Sequence, residues 1–373
     1  MKDFFLFIFL ICMNTLLYSQ VETDSTRHWN FSLAPHYGFI VPHTNQVVHL
    51  IQGHSYGAFF VAYRKVSGKR PWHHEYNLPE QGISLTYIYT GNNRQLGQQY
   101  AVNYMLDLPL DRRPACRKRI RIAPMKMNNR LGLGLGLGYV TRDWDLETNH
   151  QAAVLGSKIN ISLSLQYSRR LLSFLDSELR AGLRISHFSN GAFQLPNLGT
   201  NNAAVFISYH YGQRHDYYSN QPRQVIEKKN SISVGGFFGL KEIPPPYGKK
   251  YLVLSGSLLG ERRVTFKSSF GIGLDYFYNS SLVTLLERKE ERSVADSRAM
   301  QIGAIFSYGL HFDDFVLMMQ QGVYVRDNWK VDGIFYHRFG LRYSITDNLF
   351  TQLTLKTHFA KADFGELGLG YVF

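Results

Sequence analysis

The sequence predicts an all-β fold: a transmembrane antiparallel β-barrel of about 14–16 strands. Three observations predict it. Segments that alternate apolar and polar residues recur from Asn30 to Phe373. No apolar run in the chain approaches the ~20 residues that a spanning helix needs. The composition is rich in Tyr, Phe and Gly, with 24, 26 and 32 residues, yet the mean hydropathy is slightly negative. Lipid-facing and lumen-facing residues that alternate along each strand average to that signature.

In chain order, residues 1–19 read as a secretory signal peptide, which leaves 20–373 as the barrel. Lys2 supplies the charged start, Phe4 to Met13 the apolar core, and Leu17-Tyr18-Ser19 the exit before Gln20. An apolar core of about ten residues is too short to span a bilayer. Bulky Ile11 ahead of Cys12 argues against a lipidation site. The mature chain then carries one cysteine, Cys116, so it has no intramolecular disulfide. An exported chain without a disulfide framework suits a fold closed by backbone pairing.

Strands are expected at 30–40, 55–65, 82–91, 98–108, 131–139, 158–167, 176–189 and 203–211. Eight more follow at 231–240, 250–259, 264–277, 299–311, 313–325, 335–345, 349–358 and 363–373. The fifth reads LGLGLGLGY. Its leucines and Tyr139 share one face, and Gly132, Gly134, Gly136 and Gly138 share the other. A strict period of two distinguishes it from a glycine-rich loop, and glycines on one face suit a crowded or strongly curved interior. The sixth, KINISLSLQY, sets Ile159, Ile161, Leu163, Leu165 and Tyr167 against Asn160, Ser162, Ser164 and Gln166. That is the apolar-out, polar-in pattern of a membrane strand. In the last strand Leu367, Leu369, Tyr371 and Phe373 share a face, and an aromatic closes it. It resembles the terminal signal by which outer-membrane barrels are recognised for insertion.

The remaining stretches read as connections. Pro244-Pro245-Pro246 and the charged run Glu287 to Arg292 fall between strands. The basic stretch 111–126 is either a rim that touches phosphates or a solvated turn. His73-His74-Glu75 read as loop residues: adjacent histidines of a strand point to opposite faces and do not share an ion. With both ends in the periplasm, the connections 189–201, 278–298 and 143–156 fall on the extracellular side. The turns at 260–263, 312–313, 346–348 and 170–175 fall on the periplasmic side and are short. The connections 109–130 and 212–230 are long for that side.

The charge balance, 41 basic against 28 acidic residues and a net +13, suits a phosphate-rich partner such as lipopolysaccharide. Nucleic acid would also fit the charge, but export argues against it. There is no zinc-finger spacing, phosphate-binding glycine loop or dinucleotide fingerprint, so neither a metal nor a cofactor is implied.

The seventh strand carries the candidate site. Leu179, Ala181, Leu183 and Ile185 share a face, and two further steps along it present His187 and Ser189. The segment His187 to Gly199, HFSNGAFQLPNLG, resembles the signature of the PagL family of lipid A deacylases: His-x-Ser-Asn, then Pro-Asn-x-Gly. His187, Ser189, Asn190, Pro196, Asn197 and Gly199 match at the family spacing. The resemblance implies an outer-membrane barrel that hydrolyses an ester-linked acyl chain of lipid A. Its strand pattern extends over residues 30–212, which accounts for the eight strands of the family barrel. The residues after Tyr211 either enlarge that barrel or build something separate.

Ester hydrolysis by serine needs a base, a group that orients the base, and donors for the oxyanion. Ser189 is the candidate nucleophile and His187 the base. Two steps along a strand place their Cβ atoms about 6.5–7 Å apart, which leaning side chains bridge. By resemblance Asn190 supplies an oxyanion donor. The backbone N–H of Gly191 adds another, glycine tolerating the turn that aims it. The resemblance also implies a glutamate two residues after the motif glycine, to orient the histidine. This sequence has Asn201 there. Asn201 can accept the imidazole N–H; a carboxylate of the neighbouring connection (Asp143, Asp145 or Glu147) can substitute; or the enzyme is weak. The alternatives to an enzyme are a porin or hydrophobic-substrate channel and a structural barrel with a vestigial site. Nothing indicates an oligomeric state.

Overall fold

The computed structural model describes residues 29–111, 129–212, 229–246, 248–359 and 361–373. The expected signal peptide, Cys116 and nearly all of the basic stretch 111–126 lie outside them. Alternation builds sixteen antiparallel strands. The first eight are β1 Trp29–Ile40, β2 Ser55–Lys65, β3 Glu80–Tyr89, β4 Gln98–Pro109, β5 Asn129–Val140, β6 Ile159–Ser173, β7 Ser177–Ser189 and β8 Thr200–Tyr211. The second eight are β9 Asn230–Glu242, β10 Lys250–Arg263, β11 Ser268–Asn279, β12 Met300–Phe312, β13 Phe315–Arg326, β14 Phe335–Ser344, β15 Leu349–His358 and β16 Lys361–Val372.

The strands close as two eight-stranded barrels, not as one large one. β8 turns back onto β1, from Phe31 opposite Tyr211 to Ile40 opposite Asn202. β16 likewise pairs with β9, Leu367 lying opposite Phe238. Each closure satisfies both edges of its sheet, so no edge is left for a ninth strand to extend the first barrel. The long connection 212–230 is therefore the join between two barrels, which accounts for its length.

Outside, the barrels present apolar side chains such as Leu33, Phe39, Leu163, Leu165, Leu254 and Phe306, all exposed. Inside, an eight-stranded lumen is just wide enough for side chains to fill. The glycine face of β5 points inward, and a Cβ on Gly138 would lie 2.4 Å from Phe188 Cδ1. In the first lumen Arg130 pairs with Asp107 at 2.6 Å and Glu80 at 3.1 Å, and Arg184 lies over Phe59. In the second, Arg338 pairs with Asp275 at 2.9 Å and with Glu366, and Lys356 pairs with Asp363 at 2.7 Å. Ion pairs of this kind offset the cost of burying charge, whereas Arg184 is met by Gln166 Oε1 at 2.9 Å and by Ser186 Oγ and Thr86 Oγ1 at 3.2 Å. Lumens filled in this way argue against an aqueous path. Planar-bilayer recordings on the purified protein are expected to show no steady conductance steps; porin-like steps would contradict the filled lumens.

Two stretches read as loops contain helices. Ser281–Glu290 is helical, with Leu282 and Leu286 buried one turn apart, and a 3-10 turn follows at Asp296–Ala299. The i, i+4 apolar pair is what folds this charged segment down. Pro71–Glu75 forms a short helix between β2 and β3. There His73 Nδ1 accepts the backbone N–H groups of Gly68 and Arg70, at 3.1 and 3.4 Å. His73 is thus occupied in shaping a turn, and among the described residues no His, Cys, Asp or Glu cluster is arranged for a metal.

The two barrels dock at both ends. At one end Arg70 meets Asp313 and Asp314, the Tyr76 hydroxyl donates to the His311 carbonyl at 2.8 Å, and Tyr76 stacks on Phe312. At the other end, Glu242 at the end of β9 and Lys250 at the start of β10 reach the connection between β7 and β8, where the candidate site lies.

Candidate active site

β7 alternates strictly. Glu178, Arg180, Arg184, Ser186 and Phe188 are buried toward the lumen, and the odd-numbered residues face out. Leu183 and Ile185 are 60% and 50% exposed on the outer wall. His187 and Ser189 continue the same face. His187 is half-buried and Ser189 buried, because the β7–β8 connection folds over them.

Register brings Asn201 to the histidine. His187 lies directly opposite Asn201 in the β7–β8 ladder. His187 Nδ1 is 2.7 Å from Asn201 Oδ1. An amide oxygen only accepts, so Nδ1 carries the hydrogen and Nε2 is left with its lone pair. Asn201 Nδ2 lies 3.1 Å from His43 Nδ1 and donates to it. Asn201 is thus held from both sides, its oxygen toward His187 and its nitrogen toward His43. Asp145, one of the alternative carboxylates, turns its Oδ1 onto Glu147 and Thr148 of its own connection.

The loop motif makes room for the pair. Gly199 has φ +76, and a Cβ built on it would lie 2.9 Å from His187 Cε1 and 3.5 Å from Ser189 Cβ. The same small volume therefore borders both the imidazole and the serine. Any larger residue at 199 would be strained and would press on the histidine. Gly199 N–H donates to the Val154 carbonyl at 2.9 Å, and the Pro196 carbonyl accepts from Gly156 N–H at 2.7 Å. Asn197 Oδ1 accepts Asn190 N–H at 2.8 Å. The Pro-Asn-x-Gly segment thus ties the loop to the β5–β6 connection.

Asn190, the expected oxyanion donor, lies in the β7–β8 connection next to Ser189. Its amide has two hydrogens, and both are committed, to Ser157 Oγ and to the Gln194 carbonyl, each at 2.9 Å. The Gly191 backbone N–H does point at the site, reaching Ser189 Oγ at 3.4 Å. Gly191 and Ala192 both have positive φ, 66° and 64°, and this left-handed pair aims that N–H.

His43 went unnoticed in the sequence. It lies 158 residues from Asn201, with no motif around it; only the closure of β1 onto β8 brings it close.

Comparison with known proteins matches both halves of the chain. Residues 57–210 match the family model described as Lipid A 3-O-deacylase (PagL). Residues 230–373 match the model described as Acyloxyacyl hydrolase, C-terminal domain. One match falls on each barrel, and between them they take in most of the chain. No curated protein matches it. Among solved structures, a multiply substituted Rhodopseudomonas blastica porin is 9% identical over 93% of this chain and 100% of that one, with a TM-score of 0.17. A triple mutant of the same porin is 8% identical over the same shares, again at 0.17. Scores that low carry nothing about the arrangement of the barrels.

Proposed function

Because this chain belongs to the PagL family, the lipid A 3-O-deacylases, we propose that it hydrolyses an ester-linked acyl chain of lipid A with Ser189 as nucleophile. The observation that carries this reading is the His187–Asn201 hydrogen bond on the outward face that also bears Ser189. It leaves His187 Nε2 with its lone pair, the state that a general base needs.

The steps follow from the residue types. Ser189 Oγ attacks the ester carbonyl carbon while His187 Nε2 takes its proton. The carbonyl oxygen becomes an oxyanion, and the Gly191 N–H donates to it. The intermediate collapses, and the leaving sugar oxygen takes the proton back from His187. The acyl group is now esterified to Ser189. Water, deprotonated by His187, attacks that ester and frees the fatty acid and Ser189. Asn201 keeps the imidazole in one tautomer throughout and accepts from Nδ1–H when the ring is charged.

The substrate comes sideways. Leu183 and Ile185 form an exposed apolar track that leads to Ser189 along the outer wall. An acyl chain lying on that track stays in hydrocarbon while its ester meets the serine. Lipid A occupies the outer leaflet, so this reading sets the chain in the outer membrane with the β7–β8 connection outermost. The filled lumens speak against a channel.

The test is mass spectrometry of lipid A from Gram-negative cells that make the full chain. The expected result is lipid A lacking one acyl chain, with the matching free fatty acid. Unaltered lipid A beside folded protein in the outer membrane would overturn the proposal.

A further inference from the structure

The second barrel reaches into the site. β9 presents Ile232, Val234, Phe238 and Leu240 outward, all exposed. The same face ends in Glu242, whose side chain is only 1% exposed. A carboxylate at the end of a lipid-facing stripe is costly unless it is fully partnered. Glu242 has its partners on two sides. Within its own barrel, Lys250 Nζ lies 2.7 Å from Oε2, and Gly248 N–H donates to Oε1 at 2.6 Å. Across the gap, Oε2 accepts the backbone N–H of Leu195 at 3.1 Å, in the loop beside Ser189.

Three more contacts hold the same loop. The Glu242 N–H donates to the Ala192 carbonyl at 3.3 Å. Lys250 Nζ donates to the Phe193 carbonyl and lies 4.8 Å from the centre of its ring. Leu355 of β15 lies beyond Gly191: a Cβ built on that glycine would be 3.4 Å from Leu355 Cδ1. The first barrel fixes the loop through Asn190, Gln194, Pro196 and Asn197. The second barrel fixes it through Ala192, Phe193 and Leu195, the stretch next to the Gly191 N–H.

We infer that Glu242 of the second barrel, braced by Lys250, is a positioning residue for the hydrolytic site of the first, holding the Gly191–Leu195 loop so that its N–H donor faces Ser189. The inference rests on the proposed role of Ser189. Glu242 touches no reacting atom and acts through the loop. It gives the second barrel a part in catalysis beyond completing the fold. Docking at the far end, through Arg70 and Tyr76, does not depend on it.

The experiment uses the purified full chain in detergent micelles with lipid A as substrate. Glu242→Ala is expected to lower kcat about 10- to 100-fold with KM within about twofold, since a misaimed donor weakens the transition state and not substrate binding. Glu242→Gln retains an oxygen that accepts Leu195 N–H and is expected to restore kcat to within about fivefold of wild type. Hydrogen exchange in the 190–197 segment should rise in the alanine variant and not in the glutamine variant. Arg70→Ala, which loosens the far end of the docking, should leave kcat unchanged. Faster loop exchange with unchanged kcat, in a chain that Ser189→Ala silences, overturns the inference and leaves the hydrolase reading standing. An equal loss of kcat in Arg70→Ala also overturns it, because docking in general would then be the cause. Full turnover by Ser189→Ala removes both proposals together.

Discussion

Ser189→Ala is expected to lower kcat on lipid A by about 10⁴- to 10⁶-fold, the largest effect of any single change in this chain. The argument is chemical. With the hydroxyl gone there is no atom to form the acyl intermediate, and Gly191 and the binding track retain only what orientation and oxyanion stabilisation give. His187→Ala should cost about as much, because an unactivated serine hydroxyl is a weak nucleophile. The double variant should be no slower than either single one, since the pair acts as a unit. Ser189 faces the outer wall and ends its strand, so the alanine barrel should keep its stability and its heat-modifiable migration on gels. Fatty-acid release from lipid A, followed with equal amounts of folded protein, checks all three variants. Losses of His187 and Ser189 that multiply in the double variant would mean the two do not work on the same step.

Much of the fold was legible because a strand's period of two is written in the side chains. Most strands lie within a few residues of their expected bounds, but β10 runs through the turn expected at 260–263 and β6 runs six residues past its expected end; the glycine face of β5 announced a crowded lumen. Closure was not legible. A strand alternates in the same way whether its neighbour belongs to a barrel of eight strands or sixteen, so the pairing of β8 with β1 left no local mark. The hint lay in the resemblance, which spans eight strands over residues 30–212; length alone did not mark the join 212–230, because 109–130 is as long and lies within the first barrel.

The candidate site divides along the same line. His187 and Ser189 stood out because an apolar stripe ran into them, and the outward face of β7 carries both. Asn201 was visible only through its place after the motif glycine. The partners of the Asn190 amide, Ser157 Oγ and the Gln194 carbonyl, were not legible, because they depend on loop geometry that no spacing encodes. Glu242 carries the same signal as His187, a polar residue closing the apolar stripe Ile232 to Leu240. That signal becomes readable once two barrels are known to face each other.

Asn201→Ala is expected to give the second-largest catalytic effect, a fall in kcat of about 10²- to 10⁴-fold with little change in KM. Asn201 Oδ1 is 2.7 Å from His187 Nδ1 and decides which ring nitrogen holds the hydrogen. Without it, the imidazole can rotate or adopt the Nε2–H tautomer, in which Nε2 cannot accept a proton. Binding of the acyl chain along Leu183 and Ile185 does not involve this contact, so the loss should appear in kcat. His43 bears on the same result, because its Nδ1 holds the Asn201 nitrogen away from His187. His43→Ala should therefore reproduce part of the loss, about tenfold, by freeing the amide to turn over and present its N–H groups to His187. Asn201→Glu supplies an acceptor that cannot turn the wrong way, at the position where the family pattern has a glutamate. It is expected to keep kcat within about tenfold of wild type. The set is measured as steady-state hydrolysis of lipid A in micelles. Wild-type kcat in Asn201→Ala would show that some other group orients His187. Loss in both the alanine and the glutamate variants would show that the amide nitrogen, through His43, matters more than the oxygen.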